Sequence, residues 1–262
     1  MSVSSNLEEL SDLTRPREDD VGDSGSLDSG DEAPSESLSP SIIKRVLAFY
    51  HKGNVEAIMS LVASSVDDDN GNTSKSPRDS WDPLLLWVRP GPCCIHFLAS
   101  QVREAEISSI ASVGCGTGLL EWMIQTKTGL SVMGYEINGS WWCSKYAPPT
   151  FIPLTYVDPE EDPPAVPCTH ALMCCYFNNA PVFRKYVDAY DGPLLIIIGS
   201  THKNQCTEPR PYDYVDVHPW TLKSTHNITD MDVIACYIRD PWKVDVANKL
   251  RIFTKAKNNS SY

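Results

Sequence analysis

No apolar stretch in this 262-residue chain reaches the ~18 residues that a membrane-spanning helix needs, so no span is expected. The first residues hold no apolar run of the kind a secretory signal requires, so none is expected there. Basic residues are scarce: 22 Lys and Arg stand against 34 Asp and Glu, for a net charge of −12. They form no clustered stripe, so a nucleic-acid partner is not expected. The nine cysteines include no C-x-x-C pair, which removes zinc-finger spacing, and no metal site is expected. Several cysteines lie inside apolar runs, where the side chain behaves as a small hydrophobe. Reduced thiols, and residence in the cytoplasm or nucleus, are the coherent expectation.

Aromatic residues are missing altogether from residues 1–40. That stretch holds eleven acids and two bases, which leaves only −3 of the net charge to the other 222 residues. A segment so polar cannot bury enough apolar surface to offset its ordering entropy, and it is expected to be a disordered acidic tail. Ser41 stands where it could cap a helix beginning at Ile42, with Val46, Leu47 and Tyr50 at helical spacing. Val55, Ile58, Met59 and Val62 suggest a second helix, residues 64–80 a polar loop, and Ile95, Leu98 and Val102 a third helix over 93–103. Residues 41–106 thus read as a helical lead-in, or cap, to a domain that begins at residue 107.

From 107 to 257 the pattern alternates strand and helix. Strands are predicted at Ser108–Val113, Leu130–Tyr135, Phe151–Val157, Ala171–Tyr176 and Leu194–Gly199, with helices at Leu119–Thr126 and Pro181–Tyr190. Such alternation predicts an α/β fold whose mostly parallel sheet is covered on both faces. Two more strands, Val233–Ile238 and Leu250–Thr254, are joined too closely for a crossover helix and are expected to pair antiparallel. Residues 258–262 read as a short tail.

The central motif is Gly114-Cys115-Gly116-Thr117-Gly118, between a predicted strand and a predicted helix. Glycines there permit unusual backbone angles and the close approach of a ligand. A dinucleotide fingerprint would read G-x-G-x-x-G, but here the third glycine comes one residue early and Leu119 takes its place. No G-K-S/T comes after it, so a P-loop is excluded. Glu136 ends the next predicted strand, where a carboxylate can accept from both hydroxyls of a ribose.

This combination resembles the class I, Rossmann-like methyltransferases that use S-adenosylmethionine, over roughly residues 90–257. The resemblance implies a seven-stranded sheet with an antiparallel last strand. It implies that Gly114, Cys115, Gly116, Thr117 and Gly118 wrap the aminoacyl part of the cofactor. Glu136 and Ile137 would serve its ribose and adenine, Asp158 its adenine amino group, and Cys175 would stand beside it. Asp158 reads equally as part of a plain acidic loop with Glu160, Glu161 and Asp162. Trp141 and Trp142 read first as core, and otherwise as a stacking surface or an entrance lining.

The sequence departs from the family at the fourth strand. Nitrogen methyltransferases often carry D/N/S-P-P-Y/F/W there, and this chain has Cys175-Tyr176-Phe177-Asn178-Asn179. It is also similar to a looser group of methyltransferase-like proteins, but with Ser200 where they have an acid. Tyr176, Asn178 and His202 come after strands at the edge where open α/β sheets bind ligands and are the candidate catalytic residues. Asn178 could instead cap the next helix, and His202 could be an ordinary loop residue. The expected activity is methyl transfer from S-adenosylmethionine to an acceptor, small molecule or protein, that the sequence does not name. The alternative is a silent S-adenosylmethionine-binding sensor.

Overall fold

The computed structural model describes residues 41–64, 82–202, 207–215 and 217–240. The expected tail 1–40, most of the loop 64–80, the strand 250–254 and the tail 258–262 lie outside the described residues. In chain order the elements are α1 (Ile42–Tyr50), α2 (Val55–Ser64), α3 (Pro92–Glu104), β1 (Ser109–Val113), α4 (Leu119–Thr128), β2 (Ser131–Glu136) and α5 (Gly139–Trp142). Then come β3 (Leu154–Tyr156), β4 (His170–Cys175), α6 (Ala180–Ala189), β5 (Leu194–Ser200), β6 (Trp220–Asn227) and β7 (Asp232–Arg239).

The strands form one seven-stranded sheet in the order β3-β2-β1-β4-β5-β7-β6. β1 pairs in parallel with β2 and β4, and β4 with β5, while β7 runs antiparallel to both β5 and β6. This is a Rossmann-like α/β sheet, mostly parallel with an antiparallel end, as the sequence predicts. The chain runs from β1 out to β3 and then returns to β4 on the other side of β1, so a topological switch point lies between β1 and β4.

Alternation along the strands fills two cores. Ile110, Met173, Ile196, Ile198, Ile234 and Cys236 face one way and pack with Val46, Ile58, Leu98 and Met123 from the helices. Ala111, Leu172, Cys174, Leu195, Ile197 and Tyr237 face the other way and pack with Phe183 and Val187 of α6. β5 is buried along its whole length, which is why its sequence, LLIIIGS, shows no polar alternation. The lead-in helices α1 and α2 share the first of these cores. Tyr50 at the end of α1 donates to the Phe151 carbonyl (3.1 Å) and packs edge-on against Trp122 of α4.

Three sequence expectations are corrected. Ser41 occupies the position before α1, but its hydroxyl makes no capping bond; the backbone carbonyl accepts from Arg45 N instead (3.2 Å). The antiparallel partners of Val233–Ile238 are β5 and the preceding segment, β6, while the expected partner 250–254 lies outside the described residues. Both edges of β7 are thereby filled, by β5 and β6. β6 carries little sequence signal because only its first residue is buried and WTLKSTHN is mostly polar. Finally, the helix cap after β4 is Asn179, whose Oδ1 accepts from Val182 N (3.1 Å), and not Asn178.

Tyr190 secures the return into β5. Its ring is buried and stacks on Trp220 (5.9 Å between centroids), and its hydroxyl meets the carbonyls of His170 (2.5 Å) and Leu194 (3.0 Å). Tyr190→Phe leaves these carbonyls without their side-chain donor. Urea unfolding should show a loss of about 1–2 kcal/mol; an unchanged midpoint would mean that neither bond matters to stability.

Candidate functional site

A cavity of about 420 Å³ opens at the carboxyl ends of β1, β2 and β4, at the switch point. That size lies within the range of small-molecule and cofactor sites. Its floor is the glycine turn. The turn begins as Gly114 N donates to the Tyr135 carbonyl (2.8 Å), which holds it against the end of β2. Gly114 and Gly116 both have positive φ (66° and 59°). At Gly114 an added Cβ would meet the Phe177 ring at 2.7 Å, whereas at Gly116 it would meet nothing within 4 Å. Gly114 therefore lets a neighbour pack closely, and Gly116 presents bare backbone to the cavity.

Cys115, Thr117, Glu136, Ile137, Asp158, Cys175, Tyr176 and Asn178, all singled out from the sequence, line this one cavity together with Gly114 and Gly116. Two expected residues do not. Gly118 caps α4 with φ 74°, and its Cβ position is blocked by Ile152 at 2.4 Å, so its role is to let the chain turn against Ile152. His202 is exposed beyond β5 and is not among the lining residues; its backbone N donates to Ser200 Oγ (3.1 Å). Trp141 and Trp142 are not core residues. They meet edge to face on the rim of the cavity, with Trp141 41% exposed.

Glu136 ties the site together. Its Oε1 accepts from Gly116 N (2.7 Å) and its Oε2 from Ile137 N (3.0 Å), and the Trp142 side chain bonds it as well. Burial pushes its carboxyl above the ordinary value, and these donors oppose the shift. Each carboxylate oxygen keeps acceptor capacity for a further hydroxyl. Asp158 stands at the margin and is already used in a local turn, with Oδ1 accepting from Glu160 N (2.9 Å).

Three contributors were missed in the sequence. Glu121, on the first turn of α4, is the only fully buried acid among the described residues and lines the cavity. Its Oε1 accepts from Ser112 Oγ (2.6 Å), while Oε2 has no hydrogen-bond partner. Burial raises its carboxyl to about 7, the Ser112 bond pulling it down and Glu136 pushing it up. Its only signal in the sequence was an acid at the third position of an otherwise apolar helix start. The second contributor is the segment Leu84–Trp87, which forms one wall. Thr117 Oγ1 donates to the Leu85 carbonyl (2.8 Å), pinning this segment to the turn. Leu84 and Trp87 are 55% and 61% exposed, apolar surface left open at the mouth. The signal was an apolar run between Pro83 and Pro90 that is too short for a helix. The third is Asp232, which receives the Tyr176 hydroxyl (2.5 Å). Burial and this carboxylate both raise the phenol of Tyr176, whose ring stacks on Trp87 (6.0 Å).

The charged lining consists of Glu121, Glu136, Asp158 and Glu161 against Lys185 alone. A turn that receives a pyrophosphate needs free amides and no nearby anion. Here the Gly116 amide is bonded to a carboxylate and a second acid is buried in the adjoining helix turn. The site therefore suits a cation better than a phosphate ester.

No protein-family model matches the chain, and no curated protein matches it either. Among solved structures the chain is similar to a precorrin-6y C5,15-methyltransferase from Geobacter metallireducens, at 10% identity, covering 66% of this chain and 96% of that one, with a TM-score of 0.40. It is similar to an N,N-8-amino-8-demethyl-D-riboflavin dimethyltransferase from Streptomyces davawensis, at 12% identity, covering 78% and 75%, with a TM-score of 0.38. A third is a SAM dependent methyltransferase from Aquifex aeolicus, at 12% identity, covering 62% and 100%, with a TM-score of 0.36.

Gly116→Arg places a long side chain in the open space above the turn. The substitution should abolish ligand binding while costing only ~1–2 kcal/mol for a side chain at positive φ. Glu136→Ala should weaken binding by about 1–3 kcal/mol. Thermal unfolding and calorimetric titration of both variants check this pair; retained affinity in each would move the ligand away from the turn.

Proposed function

We propose that the cavity binds S-adenosylmethionine and that the chain is a methyltransferase acting on a small-molecule or protein acceptor. The observation that carries this reading is a bare-backbone turn set among buried carboxylates, Glu121 and Glu136, at the β1/β4 switch point. The cofactor is a cation, and it supplies a methyl group on a sulfonium that a nucleophile displaces in line. Gly116 admits the aminoacyl part against the backbone. Glu136 accepts from the ribose hydroxyls, and Ile137 with the Trp141–Trp142 pair offers apolar surface for the adenine, beside Asp158. Glu121 faces the positive end of the ligand with its unpartnered oxygen.

The acceptor side is the wall made by Leu84–Trp87 and Tyr176–Asn178. Positioning is the main contribution such a wall makes, because the methyl group already carries an activated leaving group. Tyr176 is held by Asp232 and Trp87 and can fix the orientation of an acceptor. His202 does not line the cavity and is given no role in this reading. Membrane association gains no support from the helices, none of which is long and apolar enough, among the described residues, to cross a bilayer.

Calorimetry should find S-adenosylmethionine and S-adenosylhomocysteine binding and NAD not binding. Binding of NAD alone would overturn the reading. Transfer of labelled methyl from S-adenosylmethionine to a component of a cell extract distinguishes an enzyme from a silent sensor. Gly116→Arg is the control.

Glu121 makes a separate, pH-dependent prediction. Its folded carboxyl titrates near 7, above the ordinary 4.5, so between those values the folded chain keeps a proton that the unfolded chain has lost. Stability therefore falls as pH rises through that window and levels off above about 7. Glu121→Gln should flatten this slope, leaving only the smaller part that the raised carboxyl of Glu136 contributes. A cation bound beside Glu121 favours its ionised form. Binding of S-adenosylmethionine below pH 7 should then release a proton, and affinity should rise with pH up to about 7. Calorimetry in buffers of different ionisation enthalpy measures that proton. The same release from Glu121→Gln would show that Glu121 does not face the ligand.

A further inference from the structure

Away from the cavity, the start of α3 meets the end of β6. Cys93 and Cys94 occupy the first turn of α3, after Pro92, and their Sγ atoms are 4.0 Å apart. His226 of β6 comes to the same place, and one ligating atom from each of the three residues lies within 4.8 Å of the others. This is the only such group of three or more Cys, His, Asp or Glu among the described residues. The His226 ring stacks on Phe97 of α3 (5.0 Å, planes 20° apart), which fixes its orientation. Its Nε2 is buried and has no hydrogen-bond partner. A buried ring nitrogen without a partner costs stability, and the two thiols lie close to this ring. Cys94 is buried and Cys93 exposed, so the cluster runs from the interior to solvent.

We propose that Cys93, Cys94 and His226 form a zinc site with two thiolate ligands and one imidazole ligand, joining the start of α3 to β6. Thiolate and imidazole donors suit zinc and do not suit magnesium or calcium. With Zn–S near 2.3 Å, tetrahedral ligands place two sulfurs about 3.8 Å apart, close to the 4.0 Å seen here. The three ligating atoms lie within 4.8 Å of one another, so binding would draw them inward toward the ~3.8 Å spacing of a tetrahedral site. Three protein ligands leave a fourth position, on the Cys93 side, for water. Coordination displaces both thiol protons. The two elements are already clamped nearby, by Ser224 Oγ to Gln101 Oε1 (2.6 Å) and by the Lys223–Glu104 pair (2.7 Å). Zinc would therefore lock an existing contact and would not have to create one. Spacing along the chain hid this group, because vicinal cysteines and a distant histidine match no zinc-finger pattern.

The test uses the full chain, stripped with a chelator and reduced. Zinc chloride is titrated in competition with a chromophoric chelator, with magnesium chloride as the control metal. One zinc should bind per chain, and magnesium should not compete. In the unaltered protein, zinc should slow alkylation of Cys93 by about tenfold or more, since the thiolate is the reactive form and becomes a ligand. The exposed Cys143 and Cys168 should react at unchanged rates and serve as internal controls. Cobalt substituted for zinc should give a thiolate charge-transfer band that Cys93→Ser weakens and His226→Gln shifts. An unaltered Cys93 alkylation rate in saturating zinc would overturn the proposal. Stoichiometric binding that survives both Cys93→Ser and His226→Gln would overturn it as well. The alkylation readout needs no variant, so a failure of either variant to fold leaves the site testable.

Discussion

The hydrogen bond from the Gly116 amide to the Glu136 carboxylate is the contact on which the cavity depends. It joins the turn after β1 to the last residue of β2, across the two strands that meet at the floor. The parallel register of β1 with β2 sets Val113 beside Tyr135, so the turn and the carboxylate leave the sheet together. Without that register the glycines would still bend the chain, but nothing would hold Gly116 facing the crevice. The same bond gives the site its chemical sign. An amide that could have met a phosphate is occupied by an acid, and the buried Glu121 strengthens the negative field.

Much of this was legible from the residues alone. The glycine turn and Glu136 carry their chemistry in local sequence, because bare backbone and a strand-end carboxylate need no distant partner to be recognised. The sheet was legible wherever strands are buried on both faces, as in LLIIIGS of β5. It was not legible at β6, where an edge strand alternates polar and apolar weakly and its partner lies in a hairpin. Gly118 shows the opposite failure. It completes the motif, yet its missing Cβ makes room for Ile152 and not for a ligand, a distinction that only packing can draw. His202 had the right place in the chain, just past a strand end, but there it is exposed to solvent outside the cavity. Glu121 was overlooked because a glutamate near a helix start ordinarily serves the helix dipole at the surface; here the surrounding side chains close over it.

The lead-in helices belong to the site's architecture as much as to its covering. Leu85 is reached by Thr117 of the glycine turn, and Trp87 lies on Tyr176 at the end of β4. The segment between α2 and α3 thus touches the chain just past both strands of the switch point, and it lines the same cavity as Glu136. The exposed faces of Leu84 and Trp87 leave that segment apolar where it meets solvent.

The Tyr176 side of the cavity rests on the antiparallel end of the sheet. Tyr176 reaches Asp232, the first residue of β7, and β7 is held between β5 and β6. β6 is in turn fastened to α3 through Ser224 and Lys223. A displacement of β6 would therefore pass through β7 and Asp232 to the phenol that lines the cavity. The Gly116–Glu136 side has no such dependence, since these two residues lie on the turn after β1 and at the end of β2. The two halves of one cavity are thus supported by different parts of the fold. Changes to the hairpin would therefore reach Tyr176 before they reached Glu136.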